Sequence, residues 1–259
     1  MRDNLGEQLT VDDMARSAMF SKFHFTRVFQ RATGVSPGRF LSALRLQRAK
    51  FLLVSTSLNV ADISLSVGYN SVGTFSSRFT RSIGMSPTTY RRRAGYAPHI
   101  PIDNAATAAP STARVSGHIS ERPHETVFIG LFPARIPEGK PVCCTVLPHG
   151  GDFTFESVPY GTWHLLAQAV GTQPTGAPEA NRPLAVATHG PLEVRRDTHI
   201  RIDPDFQPIS EIDPPVLLAL MDSRKLALAR VAAAGQRPAE PHAIRPMITP
   251  LCESGRTAA

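Results

Sequence analysis

Cysteine is scarce in this sequence, and its three cysteines do not have the spacing of a disulfide scaffold. Cys143 and Cys144 are adjacent while Cys252 lies near the C-terminal end, a pattern that agrees with a reducing compartment. Long apolar runs are also missing. None approaches the ~20 residues that span a bilayer, and residues 1–20 lack the apolar core of a signal peptide. We therefore expect a soluble, cytoplasmic protein with no membrane partner.

Motifs of catalysis are missing as well. The sequence has no Gly-rich phosphate loop, no nucleophile elbow and no HExxH zinc motif. Its histidines between positions 118 and 199 are scattered rather than placed at ligand spacing. Cys143 and Cys144 point to opposite faces of a predicted strand, so they cannot jointly hold a metal without distortion. We expect one buried and one partly exposed thiol, no catalytic residue, no metal and no cofactor.

Positive charge is distributed unevenly along the chain. Residues 1–100 contain 14 Lys and Arg against 5 Asp and Glu, whereas residues 101–259 contain 14 against 16. A basic surplus confined to one region indicates a polyanionic partner for that region, because neutralising phosphates releases counterions. The alternative is a basic surface that serves solubility alone.

One unit of sequence occurs twice within the first 90 residues. Matching positions, first at an offset of 49 and then of 50, include Leu9 with Leu58, Asp13 with Asp62, Phe25 with Phe75, Gly34 with Gly84, and Ser36-Pro37 with Ser86-Pro87. Each unit predicts a short helix, a tight turn and a second helix with apolar residues on one face. This is the anatomy of a helix-turn-helix, a DNA-reading motif.

The predicted helices are 11–18, 22–32, 37–54, 60–66 and 71–82. The helix over 37–54 is ~25 Å long and acts as a rigid spacer, so the two units can enter successive major grooves on one side of the duplex.

The second helices of the two units, which we call the first and second reading helices, have different outward faces. The first presents Phe23, Thr26, Arg27 and Gln30. Arg27 can read guanine edges while Phe23 either contacts a thymine methyl or packs locally on the turn.

The second outward face is small and hydroxylated, with Gly73, Ser76, Ser77 and Thr80. It can contact phosphates and a few bases, but it lacks long bidentate side chains. Most sequence discrimination should therefore come from the first reading helix.

Residues 5–92 resemble the paired helix-turn-helix domain of the AraC/XylS family of bacterial transcription regulators. The stretches that carry the resemblance are Ser21 to Phe29, Gly34-Val-Ser-Pro37, Arg45 to Ala49, Val67-Gly68-Tyr69, and Phe75 through Gly84-Met-Ser-Pro87 to Arg91. The family usually carries a long polar or basic side chain where this chain has Ser77. Met1 to Leu5 leave little room for the family's first helix, so either the start lies upstream or the domain is marginal by itself.

The resemblance and the outward faces together give the predicted contacts. Base contacts are expected from Lys22, Phe23, Thr26, Arg27, Val72, Thr74, Ser77 and Arg78. Phosphate contacts are expected from Ser21, Gln30, Arg31, Ser71, Thr80, Arg81, Arg91, Arg92 and Arg93. The run of three arginines at 91–93 is either a phosphate clamp or a solvated basic end to the last helix.

The second half of the chain has a different pattern. Residues 98–117 are rich in Ala, Pro, Ser and Thr and predict a flexible linker. Short β-rich runs from about 118 onward, without intervening helices, predict an antiparallel sandwich. Residues 151–165 resemble the strand-turn-strand signature of transthyretin-like, carboxypeptidase-regulatory-type sandwiches. Phe155, Tyr160 and Trp163 either pack in its core or line a ligand pocket.

The predicted fold is multidomain α plus β, with about seven helices in a tandem helix-turn-helix domain followed by an antiparallel β-sandwich and one C-terminal helix. The predicted ranges are 1–97 for the DNA-binding domain, 98–117 for the linker, 118–212 for the sandwich, 213–235 for the helix and 236–259 for a disordered tail.

The function expected from these features is that of a sequence-specific transcription regulator in the cytoplasm, at the nucleoid. Its partner is double-stranded DNA, and the resemblance implies RNA polymerase as a second partner. The sandwich either binds a small-molecule effector or serves as a dimerisation or protein-interaction module. The family's usual order places the sensor before the DNA-binding pair, the reverse of this chain. An enzyme fused to the DNA-binding domain, such as a repair methyltransferase using Cys143 or Cys144, is the third and least favoured alternative.

Overall fold

The computed structural model describes residues 1–95, 111–171 and 183–219. Residues 1–95, the helical region, contain six α-helices and one 3-10 turn at Arg2–Asn4. The helices are α1 (Val11–Ser17), α2 (Lys22–Thr33), α3 (Pro37–Ser55), α4 (Val60–Ser66), α5 (Val72–Ile83) and α6 (Pro87–Arg92). The sequence predicted about seven helices here, and the region has these six α-helices and the 3-10 turn. No described helix is long and apolar enough to cross a membrane.

The two sequence repeats correspond to the helix pairs α1–α2 and α4–α5, joined by the 19-residue helix α3. Both reading helices, α2 and α5, end at a glycine in the left-handed conformation. The φ angles of Gly34 and Gly84 are 76° and 90°, which a residue without a Cβ adopts at little cost. The same local signals therefore stop both copies of the unit.

Helix α1 begins with a capping box. The Thr10 hydroxyl accepts a hydrogen bond from the Asp13 amide at 3.2 Å, and the Asp13 carboxylate accepts one from the Thr10 amide at 2.9 Å. These bonds satisfy amides that a helix start otherwise leaves without partners.

Replacing Thr10 with Val should lower the free energy of unfolding by about 1 kcal/mol, because the side-chain acceptor of the cap is lost. Thermal or urea unfolding of the full chain measures the change. Ser17→Ala, at an exposed position of the same helix, is the matched control and should change stability by less than about 0.5 kcal/mol. Equal effects of the two changes would contradict the capping role.

Aromatic side chains four to eleven positions apart build the core of each unit. Phe75 and Phe79, both fully buried, lie one helical turn apart on α5, and Phe79 meets Tyr90 of α6 edge to face at 5.6 Å between ring centroids. In the first unit, Phe29 meets Phe40 of α3 in the same way at 5.3 Å. Each reading helix is therefore held on its inward side by the helix that follows it.

Residues 111–171 and 183–219, the β region, form eight described strands in two sheets. The strands are β1 (Arg114–Ile119), β2 (Glu125–Phe132), β3 (Cys143–Pro148), β4 (Gly151–Phe155), β5 (Gly161–Gly171), β6 (Pro183–Val194), β7 (His199–Arg201) and β8 (Gln207–Pro208). One sheet has the order β4-β1-β7 and the other β3-β2-β5-β6-β8. Apolar residues of both sheets, among them Val115, Phe153, Ile129 and Leu165, form one shared core.

Two expectations about this region were wrong. The pairing is not purely antiparallel, since β1 and β7 run parallel. Residues 114–117, assigned to a flexible linker, belong to β1, the central strand of the three-stranded sheet. Strand β1 is stabilised by its pairing with positions 151–155 and 199–201. The alternation of apolar and polar residues within 114–119 does not indicate which strands pair with β1 or in which direction they run.

The helix expected over 213–235 is not formed at its start. Residues 214–219 are not helical, and the rest of that prediction, with the tail over 236–259, lies outside the described residues. The backbone here has tertiary partners instead of helical ones. The Lys50 ammonium donates to the carbonyls of Val216, Leu217 and Leu218 at 3.4, 3.0 and 2.8 Å, and the Leu217 amide donates to the Pro137 carbonyl at 3.0 Å.

The helical region and the β region share a hydrophobic core. Ile136, Leu217 and Ala219 of the β region are buried among residues of α3 to α6, including Leu46 and Phe79. Arg2 also donates to the Glu211 carbonyl at 2.9 Å. The second helix-turn-helix unit is thus completed by residues that follow it by more than forty positions.

Because of Lys50, the stability of the folded chain should depend on pH. Burial lowers the pKa of the Lys50 ammonium to about 7, whereas in an unfolded chain it lies near ~10.4. At a pH between these two pKa values, the Lys50 side chain is protonated in the unfolded state and neutral in the folded state. The free energy of unfolding should therefore rise with pH above 7, by at most about 1.4 kcal/mol per pH unit from this group. Urea unfolding at pH 7 and 8.5 should show a smaller rise for Lys50→Met, and parallel pH curves would contradict the assignment.

Candidate nucleic-acid interface

The outward side of α2 carries one continuous surface. Ser21 caps the helix, its hydroxyl accepting from the His24 amide at 3.4 Å, and Phe25 packs inward. The surface is an open groove of about 530 Å³ lined by Lys22, Phe23, Thr26, Arg27, Gln30 and Arg31. The structure thus brings together six of the predicted contact residues on one patch.

Phe23 is 87% exposed on this patch. Local packing on the turn, the alternative role for this ring, is therefore not what the structure shows. The neighbouring turn residue Met19 is also exposed, while Phe20 stacks edge to face on His24. An exposed aromatic ring beside a guanidinium has the chemistry of a groove contact, apolar toward a thymine methyl and charged toward a guanine edge.

Two polar groups of the patch have partners within the chain. The Thr26 hydroxyl donates to the Lys22 carbonyl at 2.8 Å, and the Lys22 ammonium pairs with Asp12 at 2.9 Å between exposed side chains. Within the described part of the chain, no hydrogen bond or ion pair engages the Arg27 guanidinium. Arg27 is therefore a long donor of this surface whose guanidinium is available to a ligand.

The outward side of α5 carries smaller side chains than that of α2. Ser71 caps the helix, and Gly73, Ser77 and Thr80 are exposed, with the Thr80 hydroxyl donating to the Ser76 carbonyl at 2.7 Å. An open groove beside it is lined by Ser42, Tyr69, Gly73, Thr74, Ser77, Arg78 and Arg81. The second reading helix therefore presents small and hydroxylated side chains, as its sequence indicates.

Two predicted arginine contacts are engaged elsewhere. Arg78, expected at a base edge, is 18% exposed and pairs with Glu138 of the β region at 3.0 Å. Arg91, expected at a phosphate, is half-buried and donates to the carbonyls of Leu53 and Leu58 at 3.0 and 2.5 Å. Both guanidinium groups bind carbonyl or carboxylate oxygens of this chain, so neither is available to DNA in this structure. Arg92 and Arg93 are exposed and agree better with a phosphate role.

The residues proposed to line a ligand pocket do not form one together. Phe155 is buried between the sheets, and Trp163 packs against the same core with its indole N–H donating to the Pro159 carbonyl at 2.7 Å. Tyr160 is exposed. Core packing, the alternative for these aromatics, accounts for Phe155 and Trp163.

Cys143 and Cys144 lie on opposite faces of β3, and both are half-buried, whereas one buried and one partly exposed thiol were expected. Burial raises the pKa of each thiol to about 11. A thiol that stays protonated at neutral pH is a poor nucleophile, which disfavours the repair-methyltransferase alternative. In the described ranges, no group of three or more His, Cys, Asp or Glu residues is arranged to hold a metal ion.

Sequence reasoning missed Arg39, Lys50 and Glu138. Each makes its contact across 60 or more positions of sequence, and none stands in a recognisable motif. A carboxylate in a loop between Pro137 and Gly139 has the sequence features of an ordinary solvated turn.

Comparison with known proteins gives matches to the helical region. A family model described as a helix-turn-helix domain matches residues 14–93. An uncharacterized HTH-type transcriptional regulator from Haemophilus influenzae is 42% identical over 82 residues, which are 32% of this chain and 28% of that protein. The HTH-type transcriptional activator AarP from Providencia stuartii is 35% identical over 88 residues, 34% of this chain and 65% of that protein.

A solved structure of a transcriptional regulator from Chromobacterium violaceum, described by its AraC-type DNA-binding domain, is 32% identical to this chain. The match covers 36% of this chain and 84% of the chain in that structure, with a TM-score of 0.35. The chain spans between 28% and 65% of the length of the two regulators named above.

Proposed function

From the match of residues 14–93 to a helix-turn-helix domain, we propose that the chain is a sequence-specific, DNA-binding transcription regulator. The observation that carries the proposal is the exposed patch of α2, where Phe23 and the unpaired Arg27 lie side by side. Helices of this kind enter the major groove and read base edges there. The matched relatives are transcriptional regulators, and no catalytic activity is assigned to the chain.

In this proposal the two reading helices have unequal roles. The first supplies the discriminating contacts, through Phe23, Thr26 and Arg27. The second binds mainly phosphates and a few base edges, through Val72, Thr74 and Ser77 with the hydroxyls and arginines around them. The contacts assigned to each side chain follow from exposure and from the outward faces of α2 and α5.

The β region is proposed to modulate DNA binding, with RNA polymerase as the downstream partner of the complex on DNA. Support comes from its direct contact with the second helix-turn-helix unit, through Ile136, Glu138 and Leu217. A β region that served dimerisation alone would not require this contact. A thermal-shift screen of metabolites on the full chain addresses the effector: a ligand that raises the melting temperature supports modulation by a small molecule, and no hit favours a protein partner.

Selection of genomic fragments by the full-length chain tests the proposed function. We expect enrichment of a limited set of fragments sharing a motif, bound at least ~10³-fold more tightly than random DNA. Retention of fragments in proportion to their abundance, with no shared motif, would refute sequence-specific regulation. Salt concentration is held constant throughout, because phosphate contacts make DNA affinity strongly salt-dependent.

A further inference from the structure

Residues 133–140, which belong to the connection between β2 and β3, contact the C-terminal ends of both reading helices. We call them the 133–140 loop. The side chain of Arg135 lies against Gly34, where an added Cβ would be 2.5 Å from the Arg135 Cδ. At the other reading helix, the Gly139 amide donates to the Ser82 carbonyl at 2.7 Å. One short loop of the β region therefore lies at the ends of α2 and α5 together.

The carboxylate of Glu138 is the centre of this contact. It accepts hydrogen bonds from Arg39 at 3.0 Å, from Arg78 at 3.0 Å and from the Ser82 hydroxyl at 2.9 Å. The Glu138 side chain is 13% exposed. Two guanidinium groups and a hydroxyl thus surround one carboxylate.

These donors are of the type that binds DNA phosphates. Guanidinium groups pair with carboxylates and phosphates through the same charge-assisted bonds, and Ser hydroxyls are common phosphate donors. Arg78 also lines the groove beside α5 that contains Thr74 and Ser77, two of the predicted base contacts. Arg39 stands at the first turn of α3 with its side chain about half exposed. A phosphate approaching the second reading helix would meet Arg78 at this groove, and Arg39 lies close by because both arginines bind the Glu138 carboxylate.

We propose that Arg39 and Arg78 form a phosphate-binding site of the second reading helix, and that Glu138 occupies this site in place of a DNA phosphate. The proposal rests on the DNA binding proposed above. The buried Ile136 and the Gly139 backbone bond hold the 133–140 loop in place, so the carboxylate competes with DNA at a high effective concentration. The β region therefore lowers the affinity of the helical region for DNA, and displacement of the loop raises it.

Glu138→Gln in the full-length chain tests the competition, since glutamine keeps the size of the side chain, removes its charge and replaces one acceptor oxygen with an amide donor. The probe is a mixed-sequence duplex of about three helical turns, titrated at several KCl concentrations, because phosphate contacts do not depend on sequence. We expect E138Q to bind about 3- to 10-fold more tightly at low salt. The slope of log K against log [KCl] should become steeper by about 1 for each phosphate gained.

Two matched variants separate competition from a general change of charge. Glu156→Gln removes the same charge from an exposed pair with Arg114 and should leave the slope unchanged. Combining E138Q with Arg78→Gln should return the slope toward that of the wild type, because the released guanidinium is lost. Circular dichroism and thermal unfolding establish that each variant is folded, and Glu138→Ala is the second variant should the amide disturb folding.

An unchanged slope and affinity for folded E138Q or E138A would overturn the proposal, as would weaker binding or an equal effect of E156Q. Failure of the wild-type chain to bind any duplex would instead refute the proposed DNA binding. The two results can be told apart, because failure of the competition proposal requires a wild-type chain that binds DNA.

Discussion

Arg27→Ala is expected to weaken binding of the preferred DNA fragment by roughly 10- to 100-fold, since a bidentate arginine contact to guanine contributes about 1–3 kcal/mol of discrimination. Arg27 is exposed on the α2 patch, beside Phe23. The loss should be accompanied by relaxed specificity at one base position. Binding isotherms at fixed salt, with the selected fragment and its single-base variants, measure both effects.

Ser77→Ala on the second reading helix is the matched comparison. Ser77 occupies the corresponding outward position of α5, but a short hydroxyl cannot make a bidentate base contact, and we expect a loss of less than about 3-fold. Base changes beneath α5 should likewise cost less than those beneath α2. Similar costs under the two helices would show that the two units share discrimination equally, and a larger loss for S77A than for R27A would assign it mainly to the second unit.

Leu217→Ala is expected to lower the free energy of unfolding by about 2–5 kcal/mol, the range for a Leu side chain removed from a well-packed core. Leu217 is fully buried among residues of the helical region, although it follows the last of them by more than a hundred positions. Its removal leaves a cavity beside helices α3 to α6. Urea unfolding followed by far-ultraviolet circular dichroism should therefore show earlier loss of the helical signal.

Leu184→Ala is the control for this change. Leu184 lies on β6 of the same β region and is 52% exposed, so its truncation should alter stability by less than about 0.5 kcal/mol. If L217A changed stability no more than L184A, the helical region would be independent of residues 214–219. A loss confined to the strand signal, with the helices unaffected, would lead to the same conclusion.

The contrast between the two reading helices could be derived from the residues themselves. Phe23 and Arg27 against Gly73 and Ser77 follow from helical spacing once Phe25 and Phe75 are placed inward, and exposure in the structure agrees with that assignment. Whether an outward arginine is free for DNA could not be derived in this way. Arg78 pairs with a carboxylate sixty positions away, and the residues around Arg78 in the sequence do not indicate that partner.

In the β region, too, some features could be predicted from the local sequence and others depend on distant partners. Runs such as 126–132 predicted strands correctly, because an apolar run bounded by turn residues is a local signal. The parallel pairing of β1 with β7 and the non-helical course of residues 214–219 depend on distant partners. A Pro-Pro pair followed by apolar residues is a good helix start in isolation, yet Lys50 binds three carbonyls there.

The sequence by itself determined the tandem helix-turn-helix units, their inward and outward faces and the difference in side chains between the two outward faces. Helix caps, left-handed glycines and apolar periodicity act within a few residues of one another, so they can be recognised in the linear chain. Only the tertiary structure decided that the β region completes the helical core and that Glu138 holds Arg39 and Arg78. Such contacts form when buried apolar surface brings distant segments together, and the pairing of charges then follows from where those segments meet.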